Sequence, residues 1–452
     1  MLNNNLTEAP IKGLMWKMAT PVVVGFFFNT MYNVVDTYFG GQISTQALAA
    51  LSLCFPVFFL VIIFDAGTST GATALLANVI GEKQTEKTKI YIGQILSFGV
   101  IASIILTIVG LILSPSIFRL LGAEGEYLSI ALSYMNVIFY GSIFFMISSV
   151  INSILQASGN TVTFRNVLIG GFILNCLLDP WFLYGGFGLP AMGFQGIALA
   201  TITVEFLGAI YMFIKAKQSG FINKETFEHI LPRWEIMKDI IKQALPAGLN
   251  LATIGIGIFV ITYFISDFGQ SAVAAYGIAT RIEQIALLPN IGITVALLSI
   301  VGQNNGARKM ARVKETYHLG MRYGITIMTT GAVIMFFVRH PLMTFFTKDP
   351  NVVAIGSHYL GIAAFIAIAY SLLGVSISTL QGMKHPMYAV WIGLYRQILA
   401  PAIIFYIFIK VLGFGIDGVW WGVFSATWSA AIFTIIYARI ILKRKEDQIK
   451  SL

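Results

Sequence analysis

Long apolar runs broken by short polar stretches set the rhythm of this 452-residue chain. Twelve runs read as spans, at roughly 13–38, 48–79, 90–114, 127–155, 163–184, 195–214, 239–265, 273–302, 313–338, 353–380, 387–410 and 418–442. Crossing a bilayer as a helix takes about 20 apolar residues, and a helix satisfies its own backbone where no water is present. The breaks are short except 215–238, a polar linker that divides the chain into 1–214 and 239–452. The predicted fold class is therefore all-α integral membrane, with twelve transmembrane helices in two six-helix bundles.

Composition agrees. The chain is 57% hydrophobic and 11% charged, with mean hydropathy +0.80, where a soluble domain carries roughly 25% charged residues. The net charge of +9 is not clustered as nucleic-acid binding would require. With the N-terminus placed in the cytoplasm, 22 of the 29 Lys and Arg residues fall on the inner side. That bias predicts an even number of spans and both termini inside. The opening residues carry no cleavable signal pattern and run into the first span. Cys54 and Cys176 both lie in apolar runs and read as buried small side chains.

The two halves repeat each other. Pro21 matches Pro246 and Leu155-Gln156 matches Leu380-Gln381, both at an offset of 225 residues. Gly71 pairs with Gly292 and Pro180 with Pro401 at an offset of 221. An ordered series of this kind predicts a duplicated six-span unit. Six is even, so the copies insert in the same sense, as in transporters built from parallel repeats.

Candidate chemistry concentrates in the first half. Asn29, Asn33 and Asp36 are spaced to share a helix face, and an acid inside a lipid-length segment is expected to face a cavity, pair, or take up an ion. Asn175 and Asp179 are i, i+4 neighbours in span five. Thr201 and Tyr134 fall at similar depth in spans six and four. Two carboxylates in a dry site repel, so the set suits a proton or Na⁺ equally well. Pro21, about four turns before Asp36, removes a helical hydrogen bond and reads equally as a hinge or a fixed kink. Asp65, Glu205, Arg281 and Glu283 read equally as functional groups or as polar glue between helices, although Arg281 and Glu283 are too close in sequence to pair. Arg322 and Arg396 are expected to snorkel from the inner ends of their spans. In the second half, Ile261 stands opposite Asp36 and Ala400 opposite Asp179, so the chargeable residues are concentrated in the first half.

With Pro21 and Asp36, Asn175-x-x-x-Asp179, Gln156-Ala-Ser-Gly159 and Gly196-Ile-Ala-Leu-Ala-Thr201 in place, the chain resembles the multidrug and toxic compound extrusion (MATE) family along nearly its whole length, most like the prokaryotic DinF-type branch. The resemblance implies a V-shaped central cavity between pseudo-symmetric bundles and export of amphipathic, often cationic drugs in exchange for H⁺ or Na⁺. It implies a cation or proton site at Asp36, Asn175, Asp179 and Thr201 with Tyr134 nearby, and polar cavity positions at Asn29 and Asn152, to which the shared face adds Asn33. It also implies that protonation of Asp36 bends span one at Pro21. Expected alongside are a monomer in the cytoplasmic membrane of a prokaryote, lipid around it, no cofactor beyond the coupling ion, and no nucleic-acid partner. Residues 246–265 and 353–380 hold no acid, unlike the NorM-type branch. A lipid-linked oligosaccharide flippase is the alternative, lowered by the scarcity of mid-span basic residues. A membrane enzyme finds little support in five scattered histidines, and broken, duplicated bundles favour alternating access over a channel.

Overall fold

A computed structural model describes residues 5–451 apart from residue 44, and side chains outside 43–48. Among the described residues the regular structure is helical: α1 (Ile11–Ile43), α2 (Thr45–Gly81), α3 (Thr85–Leu120), α4 (Gly125–Tyr140), α5 (Ser142–Ala157), α6 (Val162–Tyr184), α7 (Phe194–Gln218), the short α8 (Lys224–Glu228), α9 (Trp234–Ser266), α10 (Gln270–Ala286), α11 (Leu288–Gly306), α12 (Met310–Phe346), α13 (Pro350–Gly382), α14 (Met387–Leu394), α15 (Ala400–Tyr406) and α16 (Asp417–Lys450). Two π turns, Tyr395–Leu399 and Ile407–Val411, join α14 and α15 into one apolar rod, Met387–Val411. Among the described residues ten helices are long and apolar enough to cross a membrane, and taking each of the bent pairs α4–α5 (44°) and α10–α11 (47°) as one span brings the number to twelve. These are the twelve spans that the apolar runs predict.

The chain divides into two compact units: Val24–Gly248, and Asn5–Val23 together with the chain from Leu249 onward. Helices α1 and α9 each contribute to both, changing unit just after Pro21 and Pro246 respectively. The division into six-span bundles thus differs from the division by packing at two matching places, 5–23 and 239–248. Both lie immediately before or around a proline that cannot complete the helical ladder.

In the first unit, α2 runs against the opening of α9. A Cβ on Gly67 would lie 2.8 Å from Gly248 Cα, and one on Gly71 would overlap the Ala244 backbone. The Gly67-x-x-x-Gly71 spacing therefore does what small residues do between membrane helices, letting two backbones approach. Gln94, fully buried on α3, secures the segment leading into α9. Its Nε2 donates to the carbonyls of His229 (2.6 Å) and Leu231 (2.7 Å), and its Oε1 accepts from the Arg233 amide (2.7 Å). Lys89 also pairs with Glu225 on α8.

The second unit is built around α13, 78% of whose most apolar window is buried. The segment entering α1 is pinned here. Arg312 Nη2 donates to the carbonyls of Ala9 (2.7 Å) and Leu6 (3.2 Å), and Asn304 Nδ2 donates to Leu6 (3.0 Å).

The internal repeat is visible in backbone detail and corrects part of its predicted register. Helix ends coincide at Gly81 and Gly306, and the left-handed residues Lys83 (φ 58°) and Arg308 (φ 57°) follow at the same offset of 225. Gly71 therefore stands opposite Ala296, not Gly292. Span five is 23 residues in the first unit, and its counterpart Met387–Val411 is 25. Each π turn absorbs one extra residue, so after the first turn the offset grows to 226 and Asp179 stands opposite Phe405, not Ala400. Phe405, like Ala400, is not an acid, so the counterpart of Asp179 still carries no carboxylate.

Candidate functional site

Three helices of the first unit carry the site. α6 supplies Asn175 and Asp179 from one face, both fully buried. Pro180 follows directly and cannot donate to the carbonyl of Cys176, which loosens the backbone beside the acid. α7 comes close to α6 at Gly196, where a Cβ would lie 2.6 Å from the Phe182 carbonyl oxygen. Only glycine tolerates that approach, and Thr201 follows five residues on along α7. α1 supplies Asp36, half-buried.

The centre of the arrangement is the Asn175 amide. Its Nδ2 donates to Asp36 Oδ1 at 2.9 Å and to Asp179 Oδ1 at 2.9 Å. The remaining oxygens, Asp179 Oδ2 and Asn175 Oδ1, are buried and have no hydrogen-bond partner. Such oxygens are costly in a dry interior unless something electropositive meets them. A proton or a small hard cation supplies that. Two acids predicted from opposite ends of the first half thus share one donor.

The flanking residues differ in how they take part. Thr201, 6% exposed, spends its hydroxyl proton on the Ile197 carbonyl at 3.2 Å, leaving oxygen lone pairs available. Tyr134, equally buried, lies against Phe194 with ring centroids 5.0 Å apart and interacts electrostatically with both acids. Tyr32 was absent from the predicted set. Its hydroxyl is buried close to Thr201, Asp36 and Asp179. The i, i+4 spacing of Tyr32 and Asp36 is the signal that identifies it.

The asparagines stand apart from the acids. Asn33 is exposed and donates to the Asn29 carbonyl of its own helix at 2.9 Å, while Asn29 is half-buried. Among the described residues neither side chain bonds to Asp36. Asn152 is 7% exposed on α5. Asp65 on α2 and Glu205 on α7 both pack beside α5, where Ser149 donates to the Asp65 backbone carbonyl (2.9 Å) and Ser148 to that of Glu205 (3.4 Å). In the second unit Glu283 is buried and accepts from the Tyr359 hydroxyl at 3.1 Å. Arg281 is exposed and does not pair with it, and Arg322 is exposed as a snorkelling residue should be. Arg396 does not snorkel: it stands on the π turn Tyr395–Leu399 and is 8% exposed.

The family model described as MatE matches residues 21–181 and again 246–407. The chain belongs to the MatE family. The two matches begin at Pro21 and Pro246, the residues that head the internal repeat, and together they cover most of the chain. MatE proteins are transporters that use ion gradients, so this is a multi-pass membrane transporter. Among curated relatives, the chain is similar to the probable multidrug resistance protein NorM of Thermotoga maritima, 26% identical over 92% of this chain and 90% of that one. It is 28% identical to the FAD transporter of Shewanella oneidensis, over 92% and 91% of the two chains. Among solved structures, a MATE transporter in its bent conformation superposes with a TM-score of 0.93 at 23% identity, over 100% of this chain and 99% of that one. At that identity the likeness establishes the fold.

Proposed function

We propose that this MatE transporter is a secondary antiporter of the cytoplasmic membrane, with both termini inside, that exports amphipathic, often cationic molecules in exchange for H⁺ or Na⁺. The observation that carries the reading is the single Asn175 amide bonded to both Asp36 and Asp179, with two further oxygens buried beside it and unpartnered. The coupling ion occupies this position, with Thr201 and Tyr134 at its margin and Tyr32 completing the polar shell. Asn29, Asn33 and Asn152 line the substrate path. Binding at Asp36 is transmitted along α1 to Pro21, where the helix has no ladder bond to resist bending. The names of curated relatives, a multidrug resistance protein among them, support the choice of cargo.

The test is dye efflux from proteoliposomes under an imposed pH gradient and, separately, a Na⁺ gradient. One of the two is expected to drive saturable efflux in the native protein, and Asp36→Asn is expected to abolish that drive. Full gradient-driven export by Asp36→Asn would overturn the assignment.

A further inference from the structure

The turn between α13 and α14 holds a strained residue. α13 closes with the Lys384 amide donating to the Gln381 carbonyl (2.9 Å) and the His385 amide to that of Leu380 (2.8 Å). The first unit closes α5 with the same pair of bonds, Gly159 to Gln156 (2.9 Å) and Asn160 to Leu155 (2.8 Å), at an offset of 225. Such a closure needs a left-handed residue, a place that glycine fills without steric cost. Gly159 fills it at φ 89° in the first copy and Lys384 at φ 64° in the second. An L-residue with a side chain is disfavoured there, and residues held in such conformations gather at ligand sites.

The surroundings of Lys384 are basic. α16 runs 34 residues where its counterpart α7 runs 25. The left-handed glycines that precede them, Gly193 (φ 57°) and Gly415 (φ 59°), set their offset at 222. Gln218, the last residue of α7, thus stands opposite Ile440, and α16 continues beyond it through Lys443, Arg444 and Lys445 to Lys450. Lys445 is half-buried and folds back on the turn, its Nζ donating to the Met383 carbonyl at 3.1 Å. That bond sets its charge within electrostatic reach of Lys384 and of the His385 ring. The acid next to it in sequence, Glu446, pairs instead with Lys314 and Lys450, and Asp447 is exposed. Like charges gathered at a half-buried place repel, and an anion set between them replaces that repulsion by attraction.

Toward the middle of the span the adjoining surface is apolar. Met387 and Trp391 on α14 and Ile440 on α16 are exposed. Tyr388 and Tyr437 stack with ring centroids 4.0 Å apart and hold the two helices side by side. A basic turn that gives way to exposed hydrocarbon matches an anionic lipid, with phosphate at one end and acyl chains at the other.

We propose that Lys384, His385 and Lys445 form a binding site for the phosphate of an anionic phospholipid in the inner leaflet. The two ammonium groups meet the phosphate oxygens as point charges, the imidazole adds a ring N–H, and the acyl chains lie along Met387, Trp391 and Ile440. The site goes beyond the export reading, since it uses no residue of the ion site and needs no gradient. It rests on the proposed orientation only for the choice of leaflet.

The test uses the purified full chain in detergent and native mass spectrometry, with dioleoyl phosphatidylglycerol and dioleoyl phosphatidylcholine as probes. The native protein is expected to bind its first phosphatidylglycerol at least tenfold more tightly than its first phosphatidylcholine. Lys384→Gly and Lys445→Gln are each expected to lower that ratio about fivefold, the equivalent of about 1 kcal/mol per lysine near an anionic surface. Lys384→Gly restores the residue of the first copy and relieves the left-handed backbone, so its thermal midpoint should hold or rise; a lost preference then reports the site and not the fold. Lys238→Gln, which removes an exposed charge from α9 in the other unit, is expected to keep the native ratio. Glycerol 3-phosphate at the same concentration as the lipid is expected to leave it bound. Equal binding of the two lipids by the native protein, a native ratio in either turn variant, an equal fall in Lys238→Gln, or displacement by glycerol 3-phosphate overturns the proposal.

Discussion

Replacing Asp179 by Asn tests the ion site at its least replaceable point. The substitution keeps the shape of the side chain and removes one charge. Two bonds of 2.9 Å meeting on one nitrogen hold Asp36 Oδ1 and Asp179 Oδ1 at most about 5.8 Å apart. Two negative charges at that separation repel by about 3 kcal/mol at an effective dielectric of about 20. A cation bound between them relieves this repulsion, and the relief contributes to its affinity. In Asp179→Asn there is no repulsion to relieve, so about 3 kcal/mol, or roughly a hundredfold in affinity, is lost. The assay is efflux of a cationic dye from proteoliposomes as the driving ion is titrated. The half-saturating ion concentration is expected to rise by about two decades, while the thermal midpoint stays level or rises because a buried charge has gone. Native ion dependence in Asp179→Asn would refute the shared-cation reasoning, whatever the variant's maximal rate.

Three further outcomes follow from the packing. Pro21→Ala restores a helical donor at the place where α1 changes unit, and alanine is favoured over proline in a helix interior by about 3 kcal/mol; the thermal midpoint should hold or rise while dye efflux falls, and native efflux would remove Pro21 as a hinge. Gly71→Leu drives a side chain into the Ala244 backbone and should destabilise by about 1–3 kcal/mol through overpacking, read as a lower thermal midpoint in detergent. Gln94→Ala deletes three hydrogen bonds to 229–233, worth about 0.5–1.5 kcal/mol each, so amide exchange should quicken in that segment more than in α6 or α7. Acid should have a milder effect nearby: the bond from Lys89 holds the Glu225 carboxyl below its usual range, so the tether is present at neutral pH and is lost as pH falls through that lowered value, with exchange around α8 rising only in strong acid.

What the sequence discloses here depends on whether a feature is periodic or relational. Spans are periodic, and lipid leaves few ways to satisfy a backbone, so hydropathy alone places all twelve. The acids are legible for a related reason: a carboxylate inside an apolar run is rare enough to be read singly. Sequence puts Asp36, Asn175 and Asp179 at similar depth, and the Asn175 amide joins the two acids. Tyr32 escapes notice because a tyrosine in a membrane helix is ordinary, and only its i, i+4 spacing to Asp36 marks it. Arg396 escapes for a different reason. Its distance from the span end suits a snorkelling side chain, yet the residue is 8% exposed and its Nε buried. Ala400 passes for the partner of Asp179 because pairing Pro180 with Pro401 sets an offset of 221, where the helix bounds give 226. A π insertion leaves hydropathy untouched while rotating every later side chain by about 100°. The two copies of the unit thus came to differ in chemistry by opposite means. The first holds acids on an unbroken helical face, where a proton or cation is wanted. The second gained a residue, lost register, and acquired a buried positive charge where its sibling has glycine.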